Sequence, residues 1–107
     1  MICQLSVGSH VDHVLVRQGV ELLGRPLVYS VDVPYVFTRS EELASKSAGM
    51  KEKVHLVTEA GLQSWQEAVL AYKSQLACLG DEMKTPEKAV ESIRSYWAER
   101  GGIRFFE

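Results

Sequence analysis

Residues 27–38 alternate without a break. Leu27, Tyr29, Val31, Val33, Tyr35 and Phe37 are apolar or aromatic at every odd position, with Val28, Ser30, Asp32, Pro34, Val36 and Thr38 between them. A period of two over this length predicts a β-strand with one face on a core. Asp32 and Ser30 then fall on the opposite face, toward solvent or an arginine. Pro34 cannot donate a ladder hydrogen bond, so the strand either lies at an edge there or bends. Twelve residues is long for one strand, and a break near Pro34 is expected.

Other segments extend the sheet. Cys3, Leu5 and Val7 alternate with Gln4 and Ser6 and predict a half-buried strand. Residues 9–24 fit two readings. A helix capped by Ser9 would carry Val11, Val14, Leu15, Leu22 and Leu23 on a rough stripe, but Gln18 shares that stripe and Gly19 interrupts it. A hairpin would place 14–17 and 20–23 on either side of a Gln18-Gly19 turn, and this is the preferred reading. Ser40-Glu41-Glu42 predicts a short helix with acids in its first turn. The small and charged stretch 45–53 reads as a mobile connection, and Val54–Val57 as a brief strand.

The second half has helical spacing. Leu62, Trp65, Val69, Tyr72, Leu76 and Leu79 recur at intervals of three and four, which predicts one long helix ending at Gly80. Thr85-Pro86-Glu87 opens a second helix with a threonine cap and proline at its first position. Val90, Ile93 and Trp97 supply its apolar stripe, and Gly101-Gly102 its end. Ile103–Phe106 could add an edge strand. A chain of 107 residues with strands first and helices later predicts a single α+β domain, 1–107. Its expected form is an antiparallel sheet of four or five strands, covered on one face by two antiparallel C-terminal helices.

Composition narrows the function classes. With 46% apolar and 24% charged residues the chain belongs with folded proteins. Fourteen acidic residues against twelve basic ones leave a net charge of −2, so no basic surface for nucleic acid is expected. Two cysteines, Cys3 and Cys78, make neither a CxxC motif nor a disulfide framework. The N-terminus carries no basic region followed by an apolar one, and no apolar run is long enough for a membrane span. A reduced, cytoplasmic protein follows as the expectation. No glycine-rich phosphate loop and no GxSxG or HExxH motif occurs, and no cofactor is expected.

Four groups of residues are candidates for function. His10-Val11-Asp12-His13 could begin a transition-metal site if helical, because imidazoles three apart then share a face; a polar turn is the preferred reading, and no metal is expected. Cys3 and Cys78 read as buried small hydrophobes. Tyr29, Tyr35, Trp65 and Tyr72, with His55 as the polar group, could line an aromatic cleft for an apolar small molecule. Val28, Val36, Phe105 and Phe106 are the candidates for an interface with a second copy or another protein. No two titratable groups are forced together by their spacing, so a self-associating binding module, most simply a homodimer, is preferred to an enzyme. The alternative is a small enzyme or ligand-binding protein using the aromatic cleft.

Overall fold

In the computed structural model, which describes residues 1–107, strand β1 (Ile2–Gln4) runs parallel to β2 (Val28–Ser30), with Cys3 opposite Tyr29. Parallel neighbours cannot be joined by a tight turn and need a crossover, usually a helix. That requirement decides residues 9–24: they form helix α1 (Val11–Glu21), and the preferred hairpin does not occur. The Gln18-Gly19 turn signal is local, whereas the pairing that overrides it joins residues 26 apart in sequence.

The remaining elements are α2 (Ser40–Lys46), β3 (Glu52–Leu56), α3 (Glu59–Leu70), α4 (Pro86–Arg100) and β4 (Gly102–Phe106), giving an α+β chain. Its sheet has four strands in the order β1-β2-β4-β3. The expected all-antiparallel sheet is therefore corrected to a mixed one, in which β2 and β4 are antiparallel and β1 and β2 are not. The C-terminal strand is also not an edge, since β4 lies between β2 and β3. Contacts divide the chain into two compact units, residues 1–53 with 104–107, and residues 54–103.

In the first unit Cys3, Leu5, Val7, Tyr29, Val31, Val36, Leu43 and Phe106 are buried. Leu5 and Val7 continue the buried side of β1 past the end of the strand, where Ser6 between them is buried as well. The longer alternation is not kept past its strand. Strand β2 stops at Ser30, the Val33–Pro34 peptide is cis, and Tyr35–Phe37 form a 3-10 turn. Odd and even positions no longer mark opposite faces once the chain leaves the strand. Asp32 and Val36, both even, are buried, while Tyr35 and Phe37 are half-buried. Helix α2 appears as expected, with Glu41 and Glu42 in its first turn, but its cap residue is Arg39 and not Ser40. The expected mobile stretch contracts, because Lys51 exchanges backbone hydrogen bonds of 2.7 and 3.0 Å with Glu107.

The second unit is a helix pair. Thr58 and Thr85 cap α3 and α4 by accepting from the Gly61 and Lys88 amides, which satisfies donors that a helix start leaves open. Pro86 opens α4 and Gly101, with φ of 73°, closes it. Trp97 donates from its indole to the Val57 carbonyl at 2.7 Å, and Arg94 pairs with Glu59 at 2.7 Å. These contacts set the start of α3 beside the end of α4, so the two run antiparallel. The long-helix expectation is corrected: α3 ends at Leu70, and buried Leu76 lies in a separate 3-10 turn, residues 76–78. A 3-10 turn repeats every three residues and continues the apolar spacing without continuing the helix. No helix is long and apolar enough to cross a membrane.

Candidate functional site

The loop between β1 and α1 departs most from ordinary backbone. Ser6, Gly8 and Ser9 all have left-handed φ, at 69°, 85° and 54°. For a residue with a Cβ this conformation costs about 1–2 kcal/mol, so the two serines need compensation. Three successive loop amides have acceptors. Val7 donates to Asp32 Oδ2 at 2.9 Å, Gly8 to Glu42 Oε2 at 2.9 Å, and Ser9 to the Ser6 carbonyl at 3.1 Å. Ser6 Oγ donates to the His13 carbonyl at 3.1 Å, tying the loop to the first turn of α1. Gly8 is required twice over: its φ is positive, and a Cβ there would stand 2.8 Å from Tyr35 Cβ.

Two histidines follow the loop. His10 is the N-cap of α1 and its Nδ1 accepts from the Asp12 amide at 3.3 Å. An Nδ1 that accepts carries no proton, so neutral His10 bears its proton on Nε2 and is a donor there. His13, one turn on, has Nδ1 2.8 Å from Asp32 Oδ1. A carboxylate can only accept, so Nδ1 carries a proton, and in the neutral ring Nε2 keeps its lone pair. The Asp32 side chain is fully buried and that of His13 is 22% exposed. The two ring centroids are 5.2 Å apart, and Tyr35 stands 5.9 Å from His10 and 5.5 Å from His13. In their neutral forms the neighbouring imidazoles are opposite tautomers, with a lone pair on His13 Nε2 and a proton on His10 Nε2.

The position follows from the topology. Ser6 lies two residues beyond β1 and Asp32 two beyond β2, so both mark the C-terminal ends of the parallel pair. In α/β sheets ligands bind outside those ends, where the loops converge. The segment His10–His13 is helical from Val11 on, the condition under which the two rings share a side. No group of three or more His, Cys, Asp or Glu gathers in metal-holding geometry. His13 Nε2 is nonetheless suited to a cation as well as to a proton, because ligating imidazoles commonly give their other N–H to a carboxylate.

Other ionisable groups support the frame. The Gly8 amide holds the Glu42 carboxyl below its usual range, with Lys46 adding to the effect. Arg17 donates to Glu21 at 2.9 Å and to the Leu5 carbonyl at 2.7 Å, joining α1 to β1. Its hydrogen bond, followed by that of Tyr29, lowers Glu21. Burial, then the Glu21 hydrogen bond, pushes the Tyr29 hydroxyl up, and burial raises the Cys3 thiol.

The residues singled out from the sequence are dispersed. Tyr29 is buried, with its hydroxyl on Glu21 at 2.8 Å and Arg17 over its ring. Tyr35 belongs to the histidine corner. In the second unit His55 and Tyr72 are exposed, and Trp65 meets Tyr96 edge-on. Val36 and Phe106 are buried, and Val28 and Phe105 are half-buried in strands β2 and β4. Cys3 is buried and Cys78 is exposed, both as free thiols. The second unit carries an open groove of about 650 Å³ lined by Leu70, Pro86, Val90 and Arg94 among others, and none of the aromatic candidates lines it. Sequence reasoning missed Asp32, Glu42 and Lys46. The available signal for Asp32 was an acid placed directly after an apolar strand. Comparison with protein-family models, with curated proteins and with solved structures found no match to this chain.

Proposed function

We propose that the chain binds a polar small molecule at the corner formed by His10, His13 and Asp32, and moves a proton there. The observation that carries this reading is the fully buried Asp32 carboxylate on His13 Nδ1. It fixes the tautomer that leaves Nε2 basic and stabilises the imidazolium that forms when Nε2 takes a proton. His10, with its proton on Nε2, donates to an oxygen on which negative charge develops. A base and a donor side by side suit hydrolysis of an ester or amide: His13 draws the proton from the water whose oxygen bonds to the acyl carbon, and returns it to the alcohol or amine as the acyl–oxygen or acyl–nitrogen bond breaks. The test is turnover of a panel of simple esters and amides by the wild type and by His13→Gln. A fall of roughly 10²- to 10⁴-fold in the variant is expected. Equal rates in the two proteins, including none above buffer, would overturn the reading.

Self-association is a second reading, carried by a different observation. Helix α1 buries none of its residues. Val11, Leu15 and Leu22 are 63%, 60% and 87% exposed, at spacings of four and seven that place them in one stripe with Gln18. A second copy suits this stripe: two such helices laid antiparallel would set Val11 against Leu22 and Leu15 against Gln18. With Leu23 the stripe exposes on the order of 500 Å² per chain, so a pair would bury roughly 1,000 Å², the floor for a specific interface. The stripe here takes the role expected of Val28, Val36, Phe105 and Phe106. Sedimentation should show a dimer at micromolar concentration and a monomer for the Leu15→Glu, Leu22→Glu double variant. A monomeric wild type would end this reading.

A further inference from the structure

We infer that Glu42 and Lys46, an ion pair on α2, are positioning residues that set the direction of the His10 and His13 rings through the loop 6–9. The inference rests on the reading of that corner as the working site. Glu42 Oε2 accepts from the Gly8 amide at 2.9 Å and from Ser9 Oγ at 3.3 Å. Lys46 donates to the Ser6 carbonyl and, at 2.9 Å, to Ser9 Oγ. The two side chains lie one helical turn apart, 3.6 Å between Nζ and Oε2, and each is 22% exposed. Leu43, between them in sequence, is buried.

The bonds fall on the three residues whose backbone is left-handed. Ser6, Gly8 and Ser9 each receive at least one, and Ser9 immediately precedes His10, the cap of α1. A shift in Ser9 therefore changes where α1 begins, and His10 and His13 move with its first turn. Asp32 holds the loop from one side through the Val7 amide, and the ion pair holds it from the other. Asp32 holds the His13 ring directly at 2.8 Å; His10 Nδ1 has the Asp12 amide at 3.3 Å and the Asp12 carboxylate at 3.9 Å, both from its own helix turn. His10 is thus the ring that depends most on the loop being held. A lowered Glu42 carboxyl agrees with a charge engaged by the Gly8 amide.

The test reads the rings themselves. Imidazole ¹⁵N spectra of the wild type should show His13 protonated at Nδ1 and His10 at Nε2, with exposed His55 as an internal reference. In Glu42→Ala and Lys46→Ala the His10 signal should move toward a tautomer average, while His55 stays fixed and the helical circular dichroism is kept. Lys46→Arg, which can still reach both oxygens, should restore the wild-type signature. Glu42→Gln provides a second folded variant if Glu42→Ala fails to fold. With a hydrolysable substrate, turnover should fall by roughly 10- to 100-fold on loss of the pair. Unchanged His10 and His13 spectra in folded alanine variants would overturn the inference. Moved spectra together with a His13→Gln variant of wild-type turnover would leave the positioning intact and remove the catalytic reading instead.

Discussion

Helix α4 starts on a threonine cap followed by proline, ends on a left-handed glycine, and buries Ala89, Ile93 and Tyr96. Helix α1 starts on a histidine, carries Gly19 in its interior, and buries nothing. The first is stabilised by packing and by caps that any sequence could use. The second is fastened by polar ties on its inner side, where Arg17 reaches the Leu5 carbonyl and Glu21 takes the Tyr29 hydroxyl. A helix held in this way contributes little core, but its first turn is placed accurately against the ends of β1 and β2. That is where the two imidazoles stand.

Core truncation should show the largest difference between these helices. Ile93 is fully buried, so Ile93→Ala should lower stability by about 2–5 kcal/mol in urea unfolding. Leu15→Ala on the exposed stripe, measured at a concentration where the chain is monomeric, should change it by less than about 0.5 kcal/mol. Comparable losses at both positions would mean that α1 is packed after all. Next in size is Asp32→Ala, which strands the Val7 amide and removes the partner of His13, at a cost of about 3 kcal/mol. A near-neutral Asp32→Ala would break the claim that polar ties hold the first unit.

Smaller effects sharpen the contrast. A Cβ at Gly19 meets nothing within 4 Å, and its φ is not in the left-handed region. Gly19→Ala should therefore stabilise the protein by roughly 0.5–1 kcal/mol, read from the same urea curves. The last prediction concerns acid. Glu21 and Glu42 have carboxyls lowered in the folded state, by Arg17 and by the Gly8 amide respectively. A depressed folded value means that their contribution is full above the ordinary carboxylate range and disappears as pH falls through the lowered values. Wild type should lose urea resistance on acidification more steeply than Glu21→Gln or Glu42→Gln; parallel pH curves would remove both groups from the account.

What could be read from the sequence follows the same division. Helix α4 was legible at both ends because Thr85, Pro86 and Gly101 act within a few residues of themselves. Strand β1 was legible through Cys3, although it stops at Gln4, and the break expected near Pro34 comes earlier, at Ser30. Helix α1 was not, because what excludes a hairpin is the parallel partner of β1, which no local pattern announces. Asp32 was placed on the wrong side for a related reason: the alternation continues to Thr38, but the pleat it describes ends at Ser30. Half of the site was still in view. His10 and His13 stood out as a pair, while the carboxylate that gives one of them its chemistry lies 19 positions beyond His13.

The Val7 amide gives that arrangement a clock. It lies outside any strand or helix, where amides usually trade hydrogen for deuterium quickly, yet its residue is fully buried and its acceptor is the sealed Asp32 carboxylate. Its deuterium uptake is therefore set by how often the loop lifts away from Asp32 Oδ2, next to the oxygen that holds His13. One loop proton thus counts the openings of the loop at this corner, and a ligand seated there should slow that count before any change in α4 is felt.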